Sequence, residues 1–340
     1  MISQDVKYVL IDSDQVDFPK SRAEPDLLTN WSIKFPALGV VLSFLAGSAF
    51  AVQFLCTKLT TSDQSINITS MGLFFLLVCS TISKLCGYEL IGDKKCRTLI
   101  AIRGIFTAIT TGFVFQSLTL IQFSDAVTIK MSYAVYVAPL AAIFLGERCR
   151  WYHLVALVVS LTGVVLIARP AAIFGGDVTG SVGIGQGVYW LGVAYAYGAC
   201  ACSVVSTIVA RKLTNVSSTV MMNYYGLFTF MIGLIWSMIK ILSSDGSIRY
   251  PVSFRDWSLI AACAIAKLLG QLLFLMALKV EQAVIVSLMR NFELVVAFVI
   301  QLLLFSETKL LMTSIIGSVF ITLTALGLAI HKIRLNEQAK

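Results

Sequence analysis

DAVTIKMSYAVYVAPLAAIFLGE, residues 125–147, is apolar enough to sit in lipid except for Lys130 near its start. A second stretch, EQAVIVSLMRNFELVVAFVIQLLLFSE, residues 281–307, has the same plan: an acidic residue at the start, a cation inside and a glutamate at the close. Lys130 lies 17 residues before Glu147, and Arg290 lies 17 before Glu307. The two stretches read as the fourth helix of each of two duplicated five-helix units. An odd number of membrane crossings per unit makes the second unit inverted relative to the first.

The rest of the chain fits that frame. Of its 340 residues 58% are hydrophobic and only 13% charged, too few ionised side chains to cover a soluble surface of this size. Segments near 36–58, 68–88, 99–121, 125–146, 151–169, 184–210, 217–241, 256–278, 281–305 and 311–331 each approach the roughly 20 apolar residues that a bilayer core of about 30 Å requires. The expected fold is an all-α membrane protein with ten transmembrane helices in two inverted five-helix repeats. A polar tail (1–35), a first repeat (36–170), a Gly-rich linker (171–183), a second repeat (184–332) and a short tail (333–340) make up the chain. Pro139 is expected to kink the fourth helix near Val135 and Tyr136 by freeing a backbone carbonyl one turn earlier.

The first 35 residues are too acidic and polar for a signal peptide and are read as a cytosolic tail. With both termini inside, fifteen Lys and Arg fall on the cytosolic side and six on the outer side, which favours this orientation. The Asn67-Ile68-Thr69 sequon then falls in the first outer loop. The plasma membrane and the endomembranes of the ER and Golgi fit equally well. The net charge of +8 reflects these loop cations, which membrane topology explains, and forms no basic stripe, so the lipid bilayer is an expected partner and a nucleic acid is not. Cys56, Cys79, Cys86, Cys200, Cys202 and Cys263 lie in apolar runs as small hydrophobes, without disulfide or metal spacing. No cofactor and no metal is expected.

Five cations remain inside apolar segments: Lys84, Arg103, Lys130, Lys267 and Arg290. A cation near a helix centre costs on the order of 2.5–3.5 kcal/mol to insert, so each needs a compensating partner. Lys84 and Arg103 lie near the cytosolic ends of their helices and read as topology anchors. Lys267 is deeper, with Gln271 one turn on along the same face. Lys130 and Arg290 bracket a midplane cavity if both face the bundle, with Tyr133 one turn from the first and Asn291 beside the second. Structural readings stand beside these: Lys130 can snorkel to the interface, Arg290 and Glu293 can neutralise each other at i,i+3, and Tyr133 can be an interface anchor.

The run RGIFTAITTGFVFQSLTLIQFSDA (103–126), a following helix that ends LGE, and GVVLIARPAAIFG (163–175) resemble the drug/metabolite transporter superfamily, EamA-like, and within it solute carrier family 35 subgroup G. Arg290, Glu293, Ala297 and Phe298 match that subgroup's pattern in the second half. The resemblance spans about residues 38–332 and implies ten helices in a five-plus-five inverted arrangement and a substrate such as citrate or another organic anion. In one respect the chain departs from the pattern. The family has an apolar or aromatic residue at the position of Lys130, followed by Ser-x-Pro, where this chain has Ser132-Tyr133-Ala134.

His153 and His331 sit at membrane edges and no hydrolase or zinc-protease motif is present, so no enzyme is expected. The expected function is secondary transport of a small organic anion by alternating access. Arg290, Lys267 and Lys130 contact the anion, Gln271, Tyr133 and Asn291 orient it, and Glu293 is a structural or coupling residue beside them. Glu293 and Asp125 are candidate proton sites, and exchange, uniport and proton coupling all remain open, as does a homodimer. Two other readings stand: a nucleotide-sugar carrier of the Golgi or ER, and a non-transporting regulator that binds another membrane protein through its acidic tail.

Overall fold

The structure, a computed structural model, describes residues 38–87, 92–121, 123–147, 151–168, 173, 186–242, 249–304 and 312–337. The polar tail, the Gly-rich segment apart from residue 173, Glu307 and the last three residues lie outside these. The described residues form twelve helices and no strand: α1 Leu38–Leu59, α2 Gln64–Leu85, α3 Arg97–Leu120, α4 Phe123–Met131, α5 Tyr133–Leu145, α6 Trp151–Ala168, α7 Gln186–Lys212, α8 Ser218–Leu242, α9 Phe254–Val280, α10 Ala283–Arg290, α11 Phe292–Leu304 and α12 Met312–Glu337. They make ten spans long and apolar enough to cross a bilayer, with α4–α5 the fourth and α10–α11 the ninth.

Local chemistry sets the boundaries. Asp63 caps α2 by accepting the Ser65 amide at 2.9 Å, and Ser253 caps α9 by accepting the Arg255 amide at 3.3 Å. Gly146 ends α5 in the left-handed region at φ 66°. The fourth span breaks at Ser132, earlier than the kink expected from Pro139, and α5 runs on through the proline. The ninth span breaks at the matching place, Asn291, with no proline in it. The paired breaks therefore belong to the architecture and not to the proline.

Helix pairing carries the internal symmetry. α1 packs on α9 as α7 packs on α3, while α2 packs on α8 and α6 on α12. Exchanging the first six helices for the last six leaves this set unchanged, as a two-fold axis between five-span halves requires. The self-paired helices touch through glycines. A Cβ on Gly163 would meet the Gly317 carbonyl oxygen at 2.7 Å and one on Gly317 would meet that of Gly163 at 2.6 Å. A Cβ on Gly226 would meet the Leu76 amide nitrogen at 3.0 Å, and one on Gly72 would strike the Phe230 backbone. Small residues let these backbones approach closely. The positions 72 and 226, and 163 and 317, are each 154 apart, an offset that records the duplication.

Two cluster assignments change. Arg103 is not an interface anchor: it is 1% exposed, wedged between α3 and α8, and its Nη1 donates to the Met221 carbonyl at 3.1 Å. The Asn67 sequon is not in a loop but in the first turn of α2. Asn67 is 8% exposed, with Oδ1 accepting from Ser62 at 2.7 Å, because the helix begins four residues earlier than hydropathy alone indicates.

Candidate functional site

The breaks at Ser132 and Asn291 place Lys130 in the last turn of α4 and Arg290 in the last turn of α10. Both side chains reach a central cavity. From the second half come also Lys267 and Gln271, one turn apart on α9, with Phe274 beyond them. α1 contributes Gln53 and Phe54, and α3 contributes Thr107, Thr110, Thr111, Val114 and Phe115. α7 closes the wall with Ser203, Ser206 and Thr207. The cavity among these side chains has a volume of about 40 Å³.

Electrostatics in this pocket are one-sided. Lys130 and Arg290 are 5% and 8% exposed, so neither snorkels to the interface. Glu293, in the first turn of α11, lies behind them: its Oε1 is 3.7 Å from Lys130 Nζ and its Oε2 is 3.5 Å from Arg290 Nε. Neither carboxylate oxygen accepts a hydrogen bond among the described residues. Lys267 has no carboxylate within ion-pair distance among the described residues and lies 5.0 Å from the Phe50 ring centre. Arg290 lies 4.4 Å from the same ring, 5.1 Å from Phe274 and 5.7 Å from Tyr133, and Lys130 lies 4.8 Å from Phe54. Rings supply quadrupole attraction without neutralising charge. Three basic side chains against one acid give the site a formal charge of about +2 in a low-dielectric setting.

The hydroxyl wall is anchored rather than free-swinging. Thr107 and Ser206 hydroxyls lie 2.6 Å apart across the α3–α7 contact. Thr111 back-bonds to the Thr107 carbonyl at 3.1 Å and meets the Tyr225 hydroxyl at 3.0 Å. Thr107 also donates to the Arg103 carbonyl at 2.7 Å, so the single protons of Thr107, Thr111 and Ser206 are all committed within the protein and only oxygen lone pairs are left.

The residues singled out in the sequence fall into two groups. Lys130, Lys267, Gln271 and Arg290 line the cavity. Tyr133 lies behind Arg290, fully buried, with its hydroxyl 3.4 Å from the Ser287 carbonyl it donates to. Asn291 donates instead to Ser160 Oγ at 2.9 Å, tying the break in the ninth span to α6. The wall hydroxyls went unnoticed in the sequence, although Thr107, Thr110, Thr111 and Ser203, Ser206, Thr207 share one i, i+3, i+4 spacing that puts each trio on one helix face.

One end of the bundle, expected to face the cytosol, is tied across the halves. Glu147, just past α5, accepts Arg211 Nε at 2.9 Å and the Ala283 amide at 3.0 and 3.2 Å. Arg211 Nη1 also donates to the Leu278 carbonyl at 2.6 Å. At the other end Lys240 donates to both oxygens of Asp63, at 2.7 and 2.9 Å. Burial works against ionisation of Asp63, but the Lys240 ammonium and the Ser65 amide and hydroxyl outweigh it and hold the carboxyl below its ordinary value.

The arrangement is a cavity between two membrane-embedded halves, with no cluster that could hold a metal ion among the described residues. Residues 37–169 match the EamA-like transporter family. The chain is 26% identical over 316 residues to Solute carrier family 35 member G1 of Homo sapiens, covering 92% of this chain and 84% of that one. It is 25% identical over 263 residues to Pseudopaline exporter CntI of Pseudomonas aeruginosa, covering 76% and 84%. A solved crystal structure shares the fold, with a TM-score of 0.69 at 17% identity over 87% of this chain and 98% of that chain. The chain is a multi-pass membrane transporter and not an enzyme. More narrowly, its first half matches the EamA-like transporter family, and most of its length is similar to solute carrier family 35 member G1.

Proposed function

We propose that the chain carries small organic anions, carboxylates such as citrate or phosphorylated metabolites, by alternating access between its two halves. The observation that carries this reading is the convergence of Lys130 from the first half with Lys267 and Arg290 from the second on one hydroxyl-lined cavity. Arg290 offers a planar fork that fits a carboxylate or phosphate edge, and the two lysines act as point charges. The aromatic rings around the pocket favour a small anion over a nucleotide sugar. Phe50, Phe54 and Phe274 already lie against cations, which leaves less ring surface for stacking a base.

Uptake of labelled carboxylates and sugar phosphates into vesicles containing the purified protein tests the reading. Arg290→Ala and Lys267→Ala should abolish uptake, and Arg290→Lys should lower it although charge is retained. Unchanged uptake of every anion in both alanine variants would show that the site is elsewhere. A thermal-shift screen against the same compounds gives binding directly, since a ligand at 100 times its Kd stabilises the folded state by about 2.7 kcal/mol.

A further inference from the structure

Resting on the anion-carrier reading, we infer that Glu293 is a built-in counter-charge that lets the empty carrier reorient and sets the preferred substrate charge at two.

Glu293 is 1% exposed and does not line the cavity, so a ligand entering the pocket meets Lys130 and Arg290 from the side opposite to it. Its two oxygens stand at nearly equal distances, 3.7 and 3.5 Å, from one cation of each half. Both separations exceed hydrogen-bond length and neither oxygen has another donor among the described residues, so the carboxylate acts through charge and not through a fixed bonding geometry. Gly47 of α1 secures the position: a Cβ there would meet the Glu293 amide nitrogen at 3.2 Å, so the first turn of α11 is seated directly on α1. The backbone that carries Glu293 is thereby packed against α1.

Moving an empty site from one side to the other requires closing it, which strands its net charge in a medium of low dielectric. With Glu293 ionised, that charge is about +2, and without it about +3. A ligand with two negative charges, a dicarboxylate or a phosphate monoester, neutralises the first case. The carboxylate thus keeps the unloaded step accessible, and its loss confines the protein to swapping one anion for another.

The experiment compares wild type with Glu293→Gln, a near-isosteric change, in vesicles that are either empty or preloaded with unlabelled succinate, using labelled succinate and citrate outside. In the variant, uptake into empty vesicles falls by about tenfold or more relative to exchange, while exchange continues and the preference shifts from succinate toward citrate. The double variant Lys130→Gln/Glu293→Gln restores the net charge and with it the ratio of net uptake to exchange, a rescue that a merely structural role of Glu293 does not give. The double variant also decides the matter if Glu293→Gln alone proves unstable: a wild-type ratio supports the inference and exchange-only behaviour overturns it. Equal loss of net uptake and exchange in Glu293→Gln, or no change in either, overturns the inference while leaving anion transport intact. A wild-type protein that neither moves nor is thermally stabilised by succinate, citrate or glucose 6-phosphate overturns the parent reading and this inference together.

Discussion

Arg211 Nε lies 2.9 Å from Glu147 Oε1, and through this pair the first helix of one half is joined to the end of the fourth span of the other. The same carboxylate receives the Ala283 amide, so it also caps the short helix that carries Arg290. One orphan backbone amide and one buried charge are satisfied by a single side chain. Closure of this end of the cavity is therefore linked electrostatically to the placement of a site cation seven residues along α10.

That linkage is measurable. Glu147→Gln and Arg211→Gln should each lower Tm, and a double-mutant cycle should return a coupling of about 1.5–3 kcal/mol, the range for hydrogen bonds to charged groups. A coupling near zero would mean that the pair does not hold the two halves together.

Gly163→Ala should destabilise by about 1–3 kcal/mol, because its new methyl meets the Gly317 carbonyl and the helices must separate. Gly327→Ala is the control, since nothing lies within 4 Å of a Cβ built there. Thermal unfolding in one detergent should show a lowered Tm for the first and an unchanged or slightly raised Tm for the second.

Asp63 gives a pH signature. Its carboxyl is held below the ordinary value in the folded protein, so its contribution is complete above the unfolded pKa of about 3.9 and is lost as pH falls through the folded value. Asp63→Asn keeps the cap and removes the charge. The variant should melt below wild type at pH 7, by a modest amount because Lys240 is partly exposed, and the gap should close progressively below about pH 4. A gap that persists unchanged to pH 3 would mean that the carboxylate charge is not the source of the effect.

Asn67 should carry no glycan when the protein is made in a glycosylating host. Its amide is folded into α2 and bonded to Ser62 and Gln64, out of reach of a transferase that needs an extended acceptor. Treatment with an amidase that strips N-linked glycans should leave the mobility of wild type and Asn67→Gln the same.

The ten spans were legible because about 20 apolar residues in a row are a property of composition and length, which a single sequence displays directly. Rotation about each helix axis was harder. Lys267 and Gln271 advertise their shared face by their spacing, whereas Asn291 sits beside Arg290 in sequence yet turns to Ser160 because the span breaks at that residue. The break itself carries no local signal: Asn291 lacks the proline that marks the fourth span, and even there the proline pointed to the wrong turn. Glu293 shows the same limit. Its pairing with Arg290 at i,i+3 is visible in one dimension, but its contact with Lys130, more than 160 positions away, arises only when the two halves close around α1. Sequence polarity likewise misplaced Arg103 at the interface, because depth along a helix says nothing of which neighbour covers the side chain.

The glycine crossings of α2 with α8 and of α6 with α12 have a mechanical corollary. Where main chain rests on main chain, no side chain is available to re-sort and absorb a sliding motion, so each crossing behaves as an axle. In the proposed cycle either half would rotate about these two bearings, and the largest displacement would then fall on the helices that wall the pocket.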